Sequence, residues 1–158
     1  MAGTSPTSRT LKVLRARGAV PAVVERWNPG ARVRQDLYGF IDIVAMEPGQ
    51  TGLLGVQATS ESGGNVAARL VKIAAEPRAA LWLDAGNRIV VHGWGKKGAR
   101  GRRKVWTLRE VVVTRDVLAS VGRSAPALPA LPHDAAPPAM ASPAEPGSGA
   151  RGVRGETR

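Results

Sequence analysis

The chain has 158 residues, no cysteine and a formal net charge of +11. This length argues for a single domain, and the lack of cysteine excludes a disulfide framework and a thiolate metal site. The chain contains no apolar run of the roughly 20 residues that cross a bilayer. Its N-terminus has no charged segment followed by an apolar one. We therefore expect a cytoplasmic protein that has no membrane partner.

Both chain ends differ in composition from the middle. From Ser124 onward the chain holds seven of the twelve prolines and no aromatic residue. Such a segment cannot bury enough apolar surface to offset the entropy of ordering it. We predict a flexible N-terminus over residues 1–7, a folded domain over residues 8–116 and a disordered tail over residues 124–158.

Alternating helix and strand signals run through the predicted domain. Ser5 and Pro6 favour a helix start, and Gly18 favours its end. Hydrophobic patterning then predicts strands at 20–27, 40–46 and 53–59, a helix at 65–76, a strand at 79–84, and a hairpin of strands 88–94 and 105–114. The order α-β-β-β-α-β-β-β predicts an α/β fold with a mixed central sheet covered on its faces.

One carboxylate interrupts a predicted buried strand. Phe40–Met46 is apolar on both faces except for Asp42, and a buried carboxylate without a partner is costly. An ion pair with a nearby arginine would satisfy it. A bound metal ion would satisfy it equally well.

The following strand supplies possible polar neighbours for Asp42. Alternation places Gln57 and Thr59 on the same strand face. If the two strands form a hairpin in which Met46 faces Leu53, Asp42 lies directly opposite Gln57, and paired residues point to the same side. Oxygen ligands of this kind suit Mg²⁺ or Mn²⁺.

The segments Asp36–Asp42 and Gly55–Thr59 together resemble the motif of the PD-(D/E)XK nuclease superfamily, especially its Holliday-junction-resolvase-like and phage-associated members. The similarity covers roughly residues 8–114. It implies a restriction-endonuclease-like core in the order α-β-β-β-α-β, here with an extra C-terminal β-hairpin. It also implies Mg²⁺- or Mn²⁺-dependent hydrolysis of DNA, with branched and single-stranded DNA as candidate substrates, and a homodimer.

The resemblance assigns roles to particular residues. Asp42 matches the metal-binding aspartate, and Gln57 matches the second motif position. Thr59 stands where the family has its catalytic lysine, a cation that a hydroxyl cannot replace. Some family members carry this lysine on the following helix, where Lys72 is the candidate here and Arg69 its substitute.

Two further acidic residues are candidate metal ligands. Asp36 precedes Asp42 by six residues and Glu25 lies on the strand expected beside it. Asp36 could instead cap a loop. Glu25 could instead pair with one of the nearby arginines.

A strongly basic segment joins the last two predicted strands. Six cations and no acid lie within residues 96–104: Lys96, Lys97, Arg100, Arg102, Arg103 and Lys104. This composition predicts contact with a phosphate backbone, and a solvated loop is the plain alternative. Trp94 and Trp106, which flank the segment, are predicted to pack across the two strands.

The sequence thus predicts a metal-dependent endonuclease that acts on DNA. Because a threonine replaces the motif lysine, a catalytically inactive nucleic-acid-binding domain of the same fold is the first alternative. The second is a basic adaptor that binds an acidic protein.

Overall fold

The computed structural model describes residues 4–124. The predicted tail beyond Ser124 and the first three residues of the predicted flexible N-terminus lie outside this part. In chain order the elements are α1 (Pro6–Ala16), β1 (Val20–Val23), β2 (Arg26–Asn28), β3 (Val33–Gln35), β4 (Ile43–Met46), β5 (Leu54–Ser60), α2 (Asn65–Ala74), α3 (Pro77–Asp84), β6 (Arg88–Lys97), β7 (Val105–Val113) and α4 (Arg115–Ser124). Within residues 4–124, no helix has the length and apolar character needed to cross a membrane.

Helix α1 begins where the sequence predicts. Ser5 caps it by accepting a 3.1 Å hydrogen bond from the backbone N–H of Ser8, and Pro6 occupies the first turn, where no backbone donor is needed. Gly18, with φ of 80°, turns the chain away after the helix. The folded part thus starts inside the segment 1–7 that we predicted to be flexible.

A five-stranded mixed sheet in the order β1-β4-β5-β6-β7 organises the domain. All neighbouring strands are antiparallel except β5 and β6, which are parallel. A parallel pair needs a crossover connection, which α2 and α3 provide. The fold is thus an α/β fold with a mixed sheet, as predicted.

The predicted hairpin register between β4 and β5 is confirmed. Ile43 pairs with Val56 and Ala45 with Leu54, which is the register that sets Asp42 opposite Gln57. Because a shift of one residue would turn every side chain to the other face, this register determines the composition of the candidate site.

The predicted strand at 79–84 is wrong, because these residues form α3. Pro77 starts that helix, and the Glu76 side chain accepts a hydrogen bond from the backbone N–H of Arg78. The strand that follows the crossover is therefore β6. As a result, β6 and β7 belong to the central sheet, where we expected an appended hairpin.

Two other predicted strands are shorter than expected. The predicted strand 20–27 breaks after Val23, because Val24 and Glu25 donate their backbone N–H groups to the carbonyl oxygen of Asp42. The chain then enters β2, which pairs with β3 in a separate ribbon. The predicted strand 40–46 joins the sheet only from Ile43 onward.

Helix α4 was not predicted. Thr114 accepts a hydrogen bond from the backbone N–H of Val117 at its start, and Val117 and Leu118 pack against the core. A threonine followed by apolar residues at helical spacing was the available signal.

Apolar clusters cover both faces of the sheet. The first lies against α2, α3 and α4 and consists of Phe40, Ile41, Val66, Ile73, Ala79, Ile89, Val91 and Val113. The second lies against α1 and consists of Leu14, Ala19, Ile43, Ala45, Leu54, Val56 and Val90. Asp42 and Gln57 belong to the first face, beside Val91, which pairs with Gln57.

Candidate active site

Asp42 is held rigidly at the start of β4. Its side chain is 5 % exposed, and its Oδ2 accepts hydrogen bonds from the backbone N–H of Ala58 at 2.8 Å and from Nε2 of Gln57 at 2.7 Å. Its own N–H donates to the carbonyl oxygen of Val56. The carboxyl group is thus buried, oriented and bonded on one oxygen.

Gln57 carries an unused acceptor in the same place. Its side chain is buried, and its Oε1 has no hydrogen-bond partner within residues 4–124. A buried acceptor without a partner costs about 1–3 kcal/mol. A donor or a cation that bound this amide oxygen would remove that cost.

The electrostatic surroundings of Asp42 disfavour its negative charge. Burial raises the pKa of Asp42 to about 7, against the lowering effect of the hydrogen bond from Ala58, and the neighbouring carboxyl groups of Asp36 and Glu25 raise it further. A nearby cation would reverse this effect, because it favours the ionised carboxylate.

The two neighbouring acids already have cationic partners. Lys72 Nζ lies 2.8 Å from Asp36 Oδ2, and Arg34 Nη1 lies 2.9 Å from Glu25 Oε2. Asp42 has no ion pair with any residue that the structure describes. Of the three clustered carboxylates, the most deeply buried one is therefore the one that lacks a positive charge.

Lys72 contacts the acidic cluster through Asp36 and forms no ion pair with Asp42 in the described part of the chain. The carboxyl group of Asp36, to which Lys72 donates, is close enough to Asp42 to share a hydrogen bond with it. Thr59 is buried on the same face as Gln57. Its hydroxyl adds polarity at the motif position and no charge.

The residues present could hold a divalent ion only if water and substrate supplied its remaining ligands. In the part of the chain that the structure describes, no three His, Cys, Asp or Glu side chains form a group that could hold a metal ion. Asp42 and Gln57 would supply two oxygen ligands, with Asp36 and Glu25 nearby. Mg²⁺ commonly binds one or two carboxylates and takes its other ligands from water and substrate phosphate. The donor set agrees with that pattern.

The basic segment 96–104 extends beyond the end of the sheet. Lys96 and Lys97 lie within β6, and the remaining four cations lie in the β6–β7 loop and are exposed. Lys97 pairs with Glu61 at 3.1 Å. The other five have no ion pair with the residues described, so their charge is available to a partner.

The prediction that Trp94 and Trp106 pack together is wrong. In the β6–β7 register Trp94 pairs with Leu108, and Trp106 pairs with Lys96. Trp94 is buried and donates to Thr10 Oγ1. Trp106 is exposed. Strand β6 extends further than predicted, so Trp106 lies opposite Lys96, two residues beyond Trp94.

Helix α1 adds a cation to this basic surface that sequence reasoning missed. The guanidinium of Arg9 lies 3.9 Å from the ring centroid of Trp106, whose ring also has Lys96 within 5.3 Å. Arg9, Lys12 and Arg15 recur every three residues, which places them close together on α1. That spacing was the available signal.

Comparison with known proteins adds no relative to these observations. No protein-family model, no curated protein and no solved structure matches the chain. What the fold and the site define is an α/β domain with a five-stranded mixed sheet, a buried carboxylate–amide pair and an exposed basic hairpin.

Proposed function

We propose that this chain is a metal-dependent nuclease domain that hydrolyses phosphodiester bonds in DNA, with Mg²⁺ or Mn²⁺ as cofactor. The observation that carries the proposal is a buried pair that residues 4–124 leave incomplete: Asp42 has no cationic partner among them, and Oε1 of Gln57 has no hydrogen-bond partner. The order of helix, antiparallel strands, crossover and parallel strand around this pair supports the resemblance to the PD-(D/E)XK superfamily.

In this proposal the chain prepares a binding place for the ion and the scissile phosphate. The hydrogen bonds from Ala58 and Gln57 fix one oxygen of Asp42 and so orient its carboxylate. A bound divalent ion would polarise the phosphate and lower the pKa of an attacking water.

Lys72 takes the role of the motif lysine in this proposal. Its ammonium group neutralises Asp36 at 2.8 Å, which reduces the repulsion that phosphate would meet at the acidic cluster. If the scissile phosphate binds beside Asp42, this cation would also stabilise the negative charge that develops in the transition state.

The basic segment 96–104, at the tip of the β6–β7 hairpin, is the proposed DNA-binding surface. Among the residues that the structure describes, its cations and Arg9 of α1 have no neutralising acid, apart from the Lys97–Glu61 pair. Contacts to phosphate position a protein on DNA without reading its sequence.

A cleavage assay tests the proposal. Plasmid, branched and single-stranded DNA are incubated with the full chain in Mg²⁺, in Mn²⁺ and in EDTA, beside Asp42→Asn. Asp84→Asn, which removes an exposed carboxylate paired with Arg115, is the matched control. We expect ion-dependent cleavage by the wild type and by Asp84→Asn, and none by Asp42→Asn. Absence of cleavage by the wild type in both ions would refute the proposal.

A second candidate function is binding of nucleic acid without catalysis. It is favoured by the hydroxyl of Thr59 at the lysine position and by the engagement of Lys72 with Asp36. Salt-sensitive DNA binding in the same samples, without cleavage, would establish this alternative.

A further inference from the structure

Tyr38 lies in a strained turn, two residues after Asp36 of the candidate site. Its φ is 54°, which is rare for a bulky residue and is stabilised only when the surroundings impose it. The turn closes on Asp36, whose carbonyl oxygen accepts from the backbone N–H of Gly39. The residue is 45 % exposed, so burial does not explain the strain.

An aromatic cavity lies beside the Tyr38 ring. Its volume is about 390 Å³, and it is lined by Tyr38, Arg78, Leu81, Trp82, Ala85 and Asn87. The rings of Tyr38 and Trp82 are tilted at 58° with their centroids 6.2 Å apart. Leu81 is 65 % exposed on α3. The cavity thus offers flat and apolar walls to a ligand.

The one cation in the cavity wall is already neutralised. Arg78 donates from Nε and Nη2 to the two carboxylate oxygens of Glu76, at 2.6 and 2.7 Å. Its guanidinium carbon also lies 5.9 Å from the Tyr38 ring centroid. A bidentate ion pair leaves little net charge to attract a phosphate, but the guanidinium plane and the aromatic rings still offer stacking surfaces.

Asn87 adds polar recognition at the cavity edge. Its Oδ1 accepts a hydrogen bond from the backbone N–H of Leu53 at 2.9 Å, which fixes the orientation of the amide. A fixed amide donor beside stacking surfaces matches the polar edge of a planar base.

We propose that this cavity, defined by Tyr38, Arg78, Leu81, Trp82 and Asn87, holds an unpaired nucleobase of the DNA substrate. The inference rests on the proposed function, because the base would belong to the same DNA strand whose phosphate would bind beside Asp42. A base inside a duplex is stacked on its neighbours and cannot enter. The substrate class is therefore DNA with unpaired nucleotides: single strands, branches or flaps.

Binding measured in EDTA tests the proposal without cleavage. The full chain is titrated with a fluorescent oligothymidylate and with a duplex of the same length. We expect Tyr38→Gly to weaken single-strand affinity on the order of tenfold, which is the usual loss when one base no longer stacks on an aromatic ring. Duplex affinity should stay within about twofold of the wild type. Glycine adopts the left-handed backbone of this turn without strain, and Tyr38→Phe, which keeps the ring, should retain wild-type affinity.

Two further arms keep the test independent of folding. Leu81→Gln changes an exposed wall residue and should also weaken single-strand binding alone. Replacing one thymidine by an abasic site should weaken binding to the wild type and have little further effect on Tyr38→Gly. Equal losses for single strand and duplex, no loss at all, or a change only in oligomeric state would each overturn the proposal.

The outcomes separate this cavity from the nuclease proposal. If the protein prefers single strands through Tyr38 but never cleaves DNA, the base site is supported and the catalytic function is refuted. If Tyr38→Gly changes neither cleavage nor single-strand affinity, the catalytic function is supported and the base site is refuted.

Discussion

Nε2 of Gln57 lies 2.7 Å from Oδ2 of Asp42, and this hydrogen bond sets the orientation of the Gln57 amide. The amide oxygen, Oε1, has no hydrogen-bond partner within the described residues and lies beside a buried carboxylate. A carboxylate and an amide oxygen side by side can hold a divalent cation.

Asp42→Asn should stabilise the metal-free protein. At pH 8 the ionised Asp42 is buried beside two acidic residues, whereas asparagine keeps an oxygen for the donors Ala58 and Gln57 and carries no charge. We expect the free energy of unfolding in EDTA to rise by about 1–3 kcal/mol. If Mn²⁺ binds at this pair, as proposed, it should stabilise the wild type and not this variant.

Thermal and urea unfolding with EDTA or Mn²⁺ measure both effects. Asp84→Asn again provides the matched control and should behave as the wild type in both conditions. A fall in the stability of Asp42→Asn in EDTA would mean that the carboxylate is structurally required and that its charge is already balanced.

Lys72→Met should separate catalysis from stability. The Lys72–Asp36 pair is partly exposed, and such pairs contribute roughly 0–1 kcal/mol, so folding should change little. If Lys72 stabilises the transition state, the cleavage rate should fall by about 10²- to 10³-fold. Lys72→Arg, which preserves the positive charge, should recover part of the rate.

Lys97→Met is the matched control for this measurement. It breaks the comparable Lys97–Glu61 pair away from Asp42, and it should weaken DNA binding without lowering the rate at saturating DNA. An equal loss of saturated rate in the two variants would remove Lys72 from the proposed site.

Neutralising the β6–β7 loop should reduce the salt dependence of DNA binding. For Arg100→Gln combined with Arg102→Gln, two lost phosphate contacts should lower the slope of log affinity against log salt by about 1.8 for duplex DNA. Affinities measured by fluorescence anisotropy over a series of salt concentrations give this slope.

The charge-matched control is Arg26→Gln combined with Arg123→Gln, two exposed positions outside the hairpin. Its slope should stay close to that of the wild type. Equal changes in the two double variants would show that net charge alone attracts DNA and that the hairpin has no special part.

Acid should destabilise the protein in two steps through His92 and Glu110, whose side chains lie 2.9 Å apart. Burial lowers the pKa of His92 below its ordinary 6.5, which outweighs the opposing effect of Glu110. Burial of Glu110 tends to raise its pKa, but Arg17 and His92 lower it overall below 4.5. In both cases the unfolded chain takes up the proton first, so the stability that this pair contributes is complete above about pH 6.5 and falls as the pH decreases, whereas Asp42, whose pKa is raised to about 7, acts in the opposite direction.

His92→Gln should remove the first step only. Urea unfolding over a pH series should show that this variant loses less stability than the wild type between about pH 6.5 and 5, and that both lose the same amount below about pH 4.5. His133→Gln, in the predicted tail, is the matched control. A wild-type slope in His92→Gln would exclude His92 as the source of the first step.

Local signals along the chain were sufficient for several features of this protein. The cap at Ser5 and Pro6 identified the start of α1, and the short turn after Met46 identified the β4–β5 hairpin. Alternation within β5 then placed Gln57 and Thr59 together, and the hairpin register added Asp42. Each of these features depends on residues close together in sequence, where spacing and turn geometry leave few choices.

Long-range packing decided the features that were predicted wrongly or not at all. Residues 79–84 are apolar enough for a strand, but Pro77 and the packing of Ala79 and Trp82 against the sheet make them a helix. The partners of Lys72 and Trp106 were likewise undetermined by spacing. Their positions depend on how α2 and α1 pack on the sheet.

The sequence by itself determined the α/β class, the β4–β5 register and the pairing of Asp42 with Gln57, because a hairpin with a short turn restricts its partners to neighbours along the chain. Only the tertiary structure decided that Asp36 lies between Lys72 and Asp42, and that Tyr38 and Trp82 border one cavity. Those contacts join separate elements, and their geometry follows from how helices pack on a twisted sheet, which no local pattern of residues encodes.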